Sequence, residues 1–309
     1  MLNIGKHVAR LCGAAVMALS LATVASADDI TIKHAQGETA IPAAPQKVIV
    51  LDLATLDNLD RFGVKVSGVP KLAAFPDYLQ KYQSDDYAKV GTLFEPDYEA
   101  INAAEPDLII VGGRSAAKYP ELAKIAPTID LTVPANDLIG GTVANVEKIG
   151  QIFGKETEAK AEIEKLMADV DALKAKTADK GTGLLILTTG GKMSAYGPGS
   201  RFGSLHDAYG MQPADPNLKI GLHGQPISPE FIAKTNPDWL FVIDRDAAIG
   251  RDGNSAKQLL DNDLVKQTNA AKNDQIVYLK AQNWYLVGGG LTALHGTIDQ
   301  LSEAFDKAR

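Results

Sequence analysis

EAINAAEPD at residues 99–107 and EFIAKTNPD at residues 230–238 are two versions of one pattern. Glutamate, isoleucine and Pro-Asp stand at the same places in both, and an arginine follows each at the same distance, Arg114 and Arg245. Each copy predicts a helix that ends at proline, a buried strand, and an arginine where that strand ends. The repeat therefore predicts two similar α/β lobes. Because ligands of open parallel sheets bind beyond the carboxyl ends of the strands, we expect both arginines to face one cleft between the lobes.

The order of the predicted elements divides the chain into three parts. Strands alternate with short helices over residues 28–141, which predicts a Rossmann-like α/β lobe with a mostly parallel sheet. Over residues 142–180 apolar residues recur every three or four positions, which predicts a single long helix between the lobes, with a break possible near Gly150 or Gly154. Residues 181–309 predict the second lobe of the same class. Since a helical joint is stiff, we expect lobe closure on ligand binding to be small.

The amino terminus has the pattern of an export signal. Two basic residues precede an apolar run from Leu11 to Val24, and Ala25-Ser26-Ala27 follows it. Residues 1–27 are therefore expected to be a signal peptide cleaved after Ala27, which predicts a periplasmic protein. The one cysteine, Cys12, lies inside this segment. The mature chain would then have neither disulfides nor thiolate metal sites.

Charge limits the kinds of partner. Removing the signal peptide takes away two positive charges and no acid, so the formal net charge falls from −7 to −9. A globally acidic surface argues against nucleic acid and anionic lipid as partners. An anion site must then be built locally, and Arg114, Arg201 and Arg245 occupy predicted strand ends or a glycine-rich turn. Planar guanidinium groups suit oxygen-rich anions. The alternative is that each of these arginines forms only a surface ion pair.

Three loops of the second lobe carry further candidates. A Gly-Pro-Gly turn leads through Arg201 into a predicted helix, whose free N–H groups would also favour an anion. His223 stands between glycines in a loop where nothing would bury its imidazole, and Tyr285 is predicted at a further strand end. His206 is expected to pack or to cap the helix and not to bind. The alternatives are a tight turn at Arg201 and interlobe packing at Tyr285.

In combination, these motifs resemble a known family. The chain is similar to periplasmic ferric-siderophore binding proteins of the enterobactin and catecholate type, which are the solute-binding components of ATP-driven importers. The motifs that carry the likeness are, in order, GSRFG followed by HD, GLHG, NPDWLFVIDR and WY. The likeness covers nearly the whole mature chain. It implies that Arg114, Arg201 and Arg245 surround an anionic ferric complex, which is a ligand and not an intrinsic cofactor. It also implies that His223 and Tyr285 bind Fe(III) directly when the siderophore supplies only four donors.

The resemblance gives the repeated glutamates a role as well. Proteins of that family dock on an inner-membrane permease dimer through one acidic residue of each lobe, and Glu99 and Glu230 occupy the matching positions. Otherwise they are acids at helix starts, where the helix dipole favours them. We expect a monomer without enzymatic activity.

Two other functions remain as alternatives. Tyrosine and histidine also ligate haem iron, although a haem pocket would want more apolar lining than three arginines provide. An exported two-lobed hydrolase finds little support, because the chain contains no Gly-x-Ser-x-Gly, His-Glu-x-x-His or P-loop motif.

Overall fold

The computed structural model describes residues 29–251 and 255–307. The predicted signal peptide, with Cys12 and the cleavage site after Ala27, lies outside the described residues. Within them, no helix combines the length and the hydropathy needed to cross a membrane. The described chain begins with an antiparallel hairpin of β1 (Ile30–His34) and β2 (Gly37–Ile41), which was not predicted.

The first lobe is built on a fully parallel sheet. Its strands are β3 (Val48–Val50), β4 (Gly68–Val69), β5 (Ala88–Lys89), β6 (Leu108–Val111) and β7 (Thr128–Asp130). Its helices are α1 (Leu53–Arg61), α2 (Tyr98–Ala103) and α3 (Tyr119–Leu122), with short 3-10 helices at Asp77–Gln83 and Ala116–Lys118. The strand order is β5-β4-β3-β6-β7. Every residue of β3 and β6 is buried, as expected for central strands covered on both faces.

Two helices follow, α4 (Leu138–Phe153) and α5 (Glu156–Thr177). The predicted single helix is therefore divided, and the division falls at Gly154, one of the two glycines that indicated it. Gly154 ends α4 with a left-handed φ of +62°, a conformation that glycine adopts without steric cost. At Gly150 a Cβ would lie 2.9 Å from the Cβ of Ala159, so the two helices pack closely at their junction.

The second lobe contains a mixed but mostly parallel sheet. Its strands are β8 (Thr182–Thr189), β9 (Lys192–Tyr196), β10 (Gln212–Pro213), β11 (Gln225–Ile227), β12 (Trp239–Asp244) and β13 (Ile276–Tyr278). Its helices are α6 (Ser204–Asp207), α7 (Pro229–Thr235), α8 (Arg245–Ala248), α9 (Ala256–Leu260), α10 (Asp263–Lys266), α11 (Asn269–Lys272), α12 (Ala281–Tyr285) and α13 (Leu291–Lys307). The order is β11-β9-β8-β12-β13, in which only β9 is antiparallel to its neighbours, and β10 pairs with the start of β8.

The sequence repeat is also a repeat in structure. Each copy forms a short helix, α2 or α7, and a left-handed residue follows the helix at the same place of the repeat, Glu105 with φ +48° or Asn236 with φ +46°. The aspartate of each Pro-Asp pair then accepts hydrogen bonds at the start of the neighbouring strand. Asp107 accepts from the main-chain N–H groups of residues 46 and 47, and Asp238 accepts from the N–H and hydroxyl of Thr182. The repeated carboxylate therefore fixes the register at the amino end of each sheet.

One hydrophobic core extends through both lobes. It includes Ile110 of the first sheet, Phe241 of the second, and side chains of α1, α5 and α13, such as Leu56, Leu166 and Leu294. The other face of each sheet packs into a smaller core of its own. Because α13 packs against both α1 and α5, movement of one lobe against the other would disturb buried side chains. Limited closure on ligand binding stays a prediction that this shared core supports.

Candidate functional site

Arginines from both lobes meet at one main-chain carbonyl. Arg114, which follows β6 in the first lobe, donates from Nη2 to the Tyr285 oxygen at 2.5 Å. Arg201, in the turn before α6 of the second lobe, donates from Nη2 to the same oxygen at 3.0 Å. As the last residue of α12, Tyr285 has a carbonyl without an intrahelical donor, so it is free to accept both. The sequence repeat predicted that Arg114 would converge with Arg245, and in this contact Arg114 shares its acceptor with Arg201.

The third arginine meets the phenol of the same residue. Arg245 is the first residue of α8, directly after β12, and its Nε donates to the Tyr285 hydroxyl at 2.8 Å. Its Nη1 donates to the hydroxyl of Thr189 at 3.2 Å, at the end of the adjacent strand β8. The guanidinium is thus held from two sides. Asp244 caps α8 by accepting from the Ala247 N–H, which fixes the backbone from which Arg245 extends.

The Tyr285 ring lies against all three guanidinium groups. The distances from the ring centroid to Cζ are 4.7 Å for Arg201, 5.2 Å for Arg114 and 5.4 Å for Arg245, within the range of cation–π attraction. Arg201 also lies 4.8 Å from the ring of Phe202. The structure thus brings together four of the five predicted ligand-binding residues.

The electrostatics of this cluster are dominated by three cations that lie close to one phenol. Burial raises the pKa of the Tyr285 phenol, but the hydrogen bond from Arg245 and the charges of the three arginines outweigh burial and bring that pKa below its ordinary value. Burial lowers the pKa of Arg114, and the nearby charge of Arg201 lowers it further. Positive charge is therefore concentrated at the boundary between the lobes in an otherwise acidic protein.

The turn that carries Arg201 is built by local hydrogen bonds. The Ser200 hydroxyl donates to the Gly197 carbonyl at 2.6 Å, and the Gly199 N–H donates to Asp207 Oδ2 at 2.7 Å. Gly199 has φ +71°, which explains the glycine. The helix predicted to present free N–H groups to an anion is only the four-residue α6. His206 of α6 is buried and its Nδ1 lies 2.8 Å from the Met211 carbonyl, which confirms that it packs.

His223 is exposed in a turn, as predicted, and directly follows the exposed apolar residues Ile220 and Leu222. Its loop borders the site, because a Cβ on Gly224 would lie 2.8 Å from the ring of Tyr196, which packs on Phe202. Among the contacts of the described residues, none joins His223 to Tyr285 or to the arginines. The described residues also contain no cluster of three or more His, Cys, Asp or Glu side chains that could hold a metal ion.

Tyr285 is not in a loop at a strand end, as the sequence predicted, but closes the short helix α12. Three residues of the site were missed, Asp52, Phe202 and Thr189. The Asp52 carboxylate caps α1 by accepting from Thr55, and its charge counteracts the lowering of the Arg114 pKa. Phe202 stacks on Arg201. Asp52 follows the buried strand β3, so an acid at a strand end was the pattern that would have indicated it.

The predicted docking glutamates are both accessible. Glu99 lies in the first turn of α2 and Glu230 in the first turn of α7, and both are exposed. A side-chain hydrogen bond from Ser228 holds the pKa of Glu230 below its usual value. The two acids therefore occupy equivalent places in the two lobes.

Two large hollows of the described chain lie away from the arginines. One of about 720 Å³ is lined by residues that include Tyr78, Lys257 and Lys280, and one of about 970 Å³ lies beside β13 and the end of α13. Neither is lined by an arginine. Their size alone does not make them ligand sites, and the three predicted arginines lie instead around Tyr285.

Comparison with known proteins assigns the chain to a family. The chain belongs to the periplasmic binding protein family, whose model matches residues 48–283. The family consists of binding proteins, not enzymes, and its members act outside the cytoplasm.

Particular relatives match over most of their length. The petrobactin-binding protein YclQ of Bacillus subtilis is 44% identical over 286 residues, 91% of this chain and 89% of YclQ. Its crystal structure matches with a TM-score of 0.87, over 91% of this chain and 99% of that chain. The ferric-anguibactin-binding protein FatB of Vibrio anguillarum is 35% identical over 283 residues, 89% of this chain and 87% of FatB. The crystal structure of the periplasmic catecholate-siderophore binding protein VctP of Vibrio cholerae is 36% identical, with a TM-score of 0.85 over 89% of this chain and 100% of that chain.

Proposed function

We propose that this protein captures a ferric siderophore of the catecholate type outside the cytoplasm and delivers it to an ABC importer for iron uptake. The observation that carries the proposal is the convergence of Arg114, Arg201 and Arg245, from both lobes, on Tyr285. Relatives named for binding petrobactin, ferric anguibactin and a catecholate siderophore support a siderophore as the ligand, and the last of them supports the catecholate type.

The chemistry of the ligand suits this site. Ferric catecholate complexes carry negative charge on oxygen atoms, and guanidinium groups donate to such atoms in a fixed planar geometry. The rings of Tyr285 and Phe202 add flat surfaces beside the cations, against which the catechol rings can pack. The site is therefore suited to a large aromatic anion.

Titration of the purified protein with ferric catecholates, followed by tryptophan fluorescence, tests this function. We expect saturable quenching that Arg245→Ala weakens strongly. Lys272→Ala, which removes one exposed positive charge elsewhere on the second lobe, should bind like the wild type. If no ferric siderophore gives a response, the proposed function is wrong. A Soret shift on adding haem would instead support the tetrapyrrole alternative.

Direct iron ligation is a separate part of the proposal. His223 and Tyr285 would complete the coordination of Fe(III) when a siderophore supplies four oxygen donors. The exposed position of His223 and the lowered pKa of Tyr285 favour this role, since a phenolate is a hard ligand. The visible spectrum of the protein with a ferric bis-catecholate should contain a shifted charge-transfer band that is lost in His223→Ala and in Tyr285→Phe. An identical band in all three proteins would exclude protein ligation.

Delivery to the importer is proposed to use Glu99 and Glu230, which are exposed at equivalent places in the two lobes. In reconstituted vesicles the double variant Glu99→Gln, Glu230→Gln should retain siderophore affinity but lose transport. The double variant Glu121→Gln, Glu156→Gln removes two exposed acids elsewhere and should transport normally. Transport by the first variant at the wild-type rate would refute the docking role.

The remaining parts of the proposal concern the mature chain. We infer export to the periplasm with cleavage after Ala27, a monomeric state, and lobes bounded near residues 141 and 181. Amino-terminal sequencing of the exported protein tests the cleavage site. Light scattering with and without ligand tests the oligomeric state.

A further inference from the structure

We propose that Tyr285 organises the anion site: its main-chain carbonyl and its phenol hold the three guanidinium groups in the arrangement that receives the ligand, a role separate from binding iron. The inference rests on the proposed function, because it concerns how the same site meets an anionic ferric complex. It makes Tyr285 a positioning residue for ligands whose iron is already fully coordinated.

The carbonyl joins the two lobes. Residues at the carboxyl end of a helix carry partial negative charge on carbonyls that have no intrahelical donor, and Tyr285 closes α12. That oxygen accepts from Arg114 of the first lobe and from Arg201 of the second. The two cations repel each other, and the charge of Arg201 accordingly lowers the pKa of Arg114. The shared acceptor offsets this repulsion while no ligand is present.

The phenol fixes the third cation. The Tyr285 hydroxyl accepts from Arg245 Nε at 2.8 Å while Thr189 accepts from Nη1 at 3.2 Å, so the guanidinium plane is set by two acceptors on different elements. The aromatic ring between the phenol and the backbone lies within 5.4 Å of all three Cζ atoms. A single residue therefore contacts every cation of the cluster through three different groups.

This arrangement prepares the site before the ligand arrives. Long arginine side chains lose rotational freedom when they bind, and holding them in advance reduces that loss. An incoming oxygen-rich anion can replace the carbonyl as the acceptor without any large rearrangement of the arginines. The phenol then contributes to the affinity through Arg245 even if it never touches iron.

A coordinatively saturated ligand separates the two roles. A hexadentate ferric tris-catecholate leaves no position on the iron for a protein atom. If Tyr285 acts only as an iron ligand, Tyr285→Phe should bind this complex as tightly as the wild type. If the phenol positions Arg245, the variant should bind it about tenfold more weakly, the usual effect of losing one hydrogen bond to a charged group. Tyr278→Phe, a half-buried tyrosine of β13 in the same lobe, is the matched control and should not change the affinity.

A double-mutant cycle shows whether the effect passes through Arg245. Arg245→Gln keeps the phenol but removes its cationic donor, and the double variant Arg245→Gln, Tyr285→Phe should bind the saturated complex no more weakly than Arg245→Gln alone. Additive losses, or unchanged affinity in Tyr285→Phe, would overturn the inference. Failure of the wild type to bind any ferric siderophore would instead overturn the proposed function.

A measurement without ligand guards the test against a poorly folded variant. The far-ultraviolet circular dichroism and the thermal midpoint of ligand-free Tyr285→Phe and Arg245→Gln should match those of Tyr278→Phe. Because Arg245 Nε and the Tyr285 hydroxyl lie 2.8 Å apart, a loss of affinity without a loss of fold then reports the contact between these two side chains. Wild-type affinity of a folded Tyr285→Phe for the saturated complex would overturn the inference.

Discussion

Asp57 connects the two lobes and should make the stability of this protein depend on pH. It lies on α1 of the first lobe with 1% of its surface exposed, and it accepts a hydrogen bond at 3.0 Å from the Ala293 N–H in the first turn of α13. The adjacent Asn58 accepts from the Leu291 N–H at 2.8 Å. Burial raises the pKa of Asp57 from 3.8 to about 6, although hydrogen bonds from Thr292 and Ala293 act in the opposite direction.

The magnitude follows from that pKa. The folded protein keeps a proton on Asp57 between about pH 4 and pH 6, where the unfolded chain has released it. The stabilisation from the protonated carboxyl is therefore complete below about pH 4 and is lost as the pH rises through 6. A rise of about 2 pKa units, at about 1.36 kcal/mol each, corresponds to about 3 kcal/mol of unfolding free energy. Asp57→Asn removes this titration and keeps a carbonyl oxygen as acceptor.

Urea unfolding of the wild type and of Asp57→Asn at pH 4, 5, 6 and 7 tests the argument. The unfolding free energy of the variant minus that of the wild type should increase by about 3 kcal/mol from pH 4 to pH 7. Subtracting the wild-type value removes the contributions of the other carboxylates to the pH dependence, because both proteins contain them. Asp171→Asn, which changes an exposed carboxylate of α5, provides the reference for losing one surface charge. A difference that stays constant over this range would refute the reasoning that burial controls Asp57.

Three further predictions follow from the packing. A Cβ at Gly290 would lie 2.7 Å from the Asp57 Cβ, so Gly290→Ala should lower the unfolding free energy by about 1–3 kcal/mol. A Cβ at Gly288 would lie 3.5 Å from its nearest neighbour, so Gly288→Ala should unfold nearly like the wild type in a thermal scan. Asp107→Ala and Asp238→Ala should each lower the unfolding free energy measured in urea by about 1–3 kcal/mol, because each leaves two donors at a strand start without their acceptor. A decrease in only one of the two variants would argue against equivalent roles. Because one core extends through both lobes, the radius of gyration measured by small-angle scattering should not change beyond experimental error on ligand binding, and a clear decrease would contradict the stiff joint.

Much of the fold was predictable because its patterns are local. The apolar run Leu108–Val111 is β6, and the three- and four-residue spacing over residues 142–180 corresponds to most of α4 and α5. The N-terminal hairpin was missed because its strands alternate weakly, with exposed polar residues facing solvent. The division of the joining helix was indicated by its glycines, but only the left-handed conformation of Gly154 decided where α4 ends.

The site was predictable to the extent that strand ends determine it. Arg114 and Arg245 follow β6 and β12, so the parallel sheets already direct both side chains to the same end of their lobes. The role of Tyr285 was not predictable in the same way. Its carbonyl accepts from Arg114, which is 171 positions away in the sequence. No local pattern indicates which distant side chain will donate to a given main-chain oxygen.

The sequence by itself determined the duplicated α/β lobes, the three arginines and the acidic surface around them, because periodicity and composition act over a few residues at a time. Only the tertiary structure decided that these cations share one tyrosine and that α1, α5 and α13 merge the lobes into one core. The physical reason is that hydrogen-bond partners and buried contacts depend on how elements far apart in the chain pack together, and this packing is a property of the whole fold.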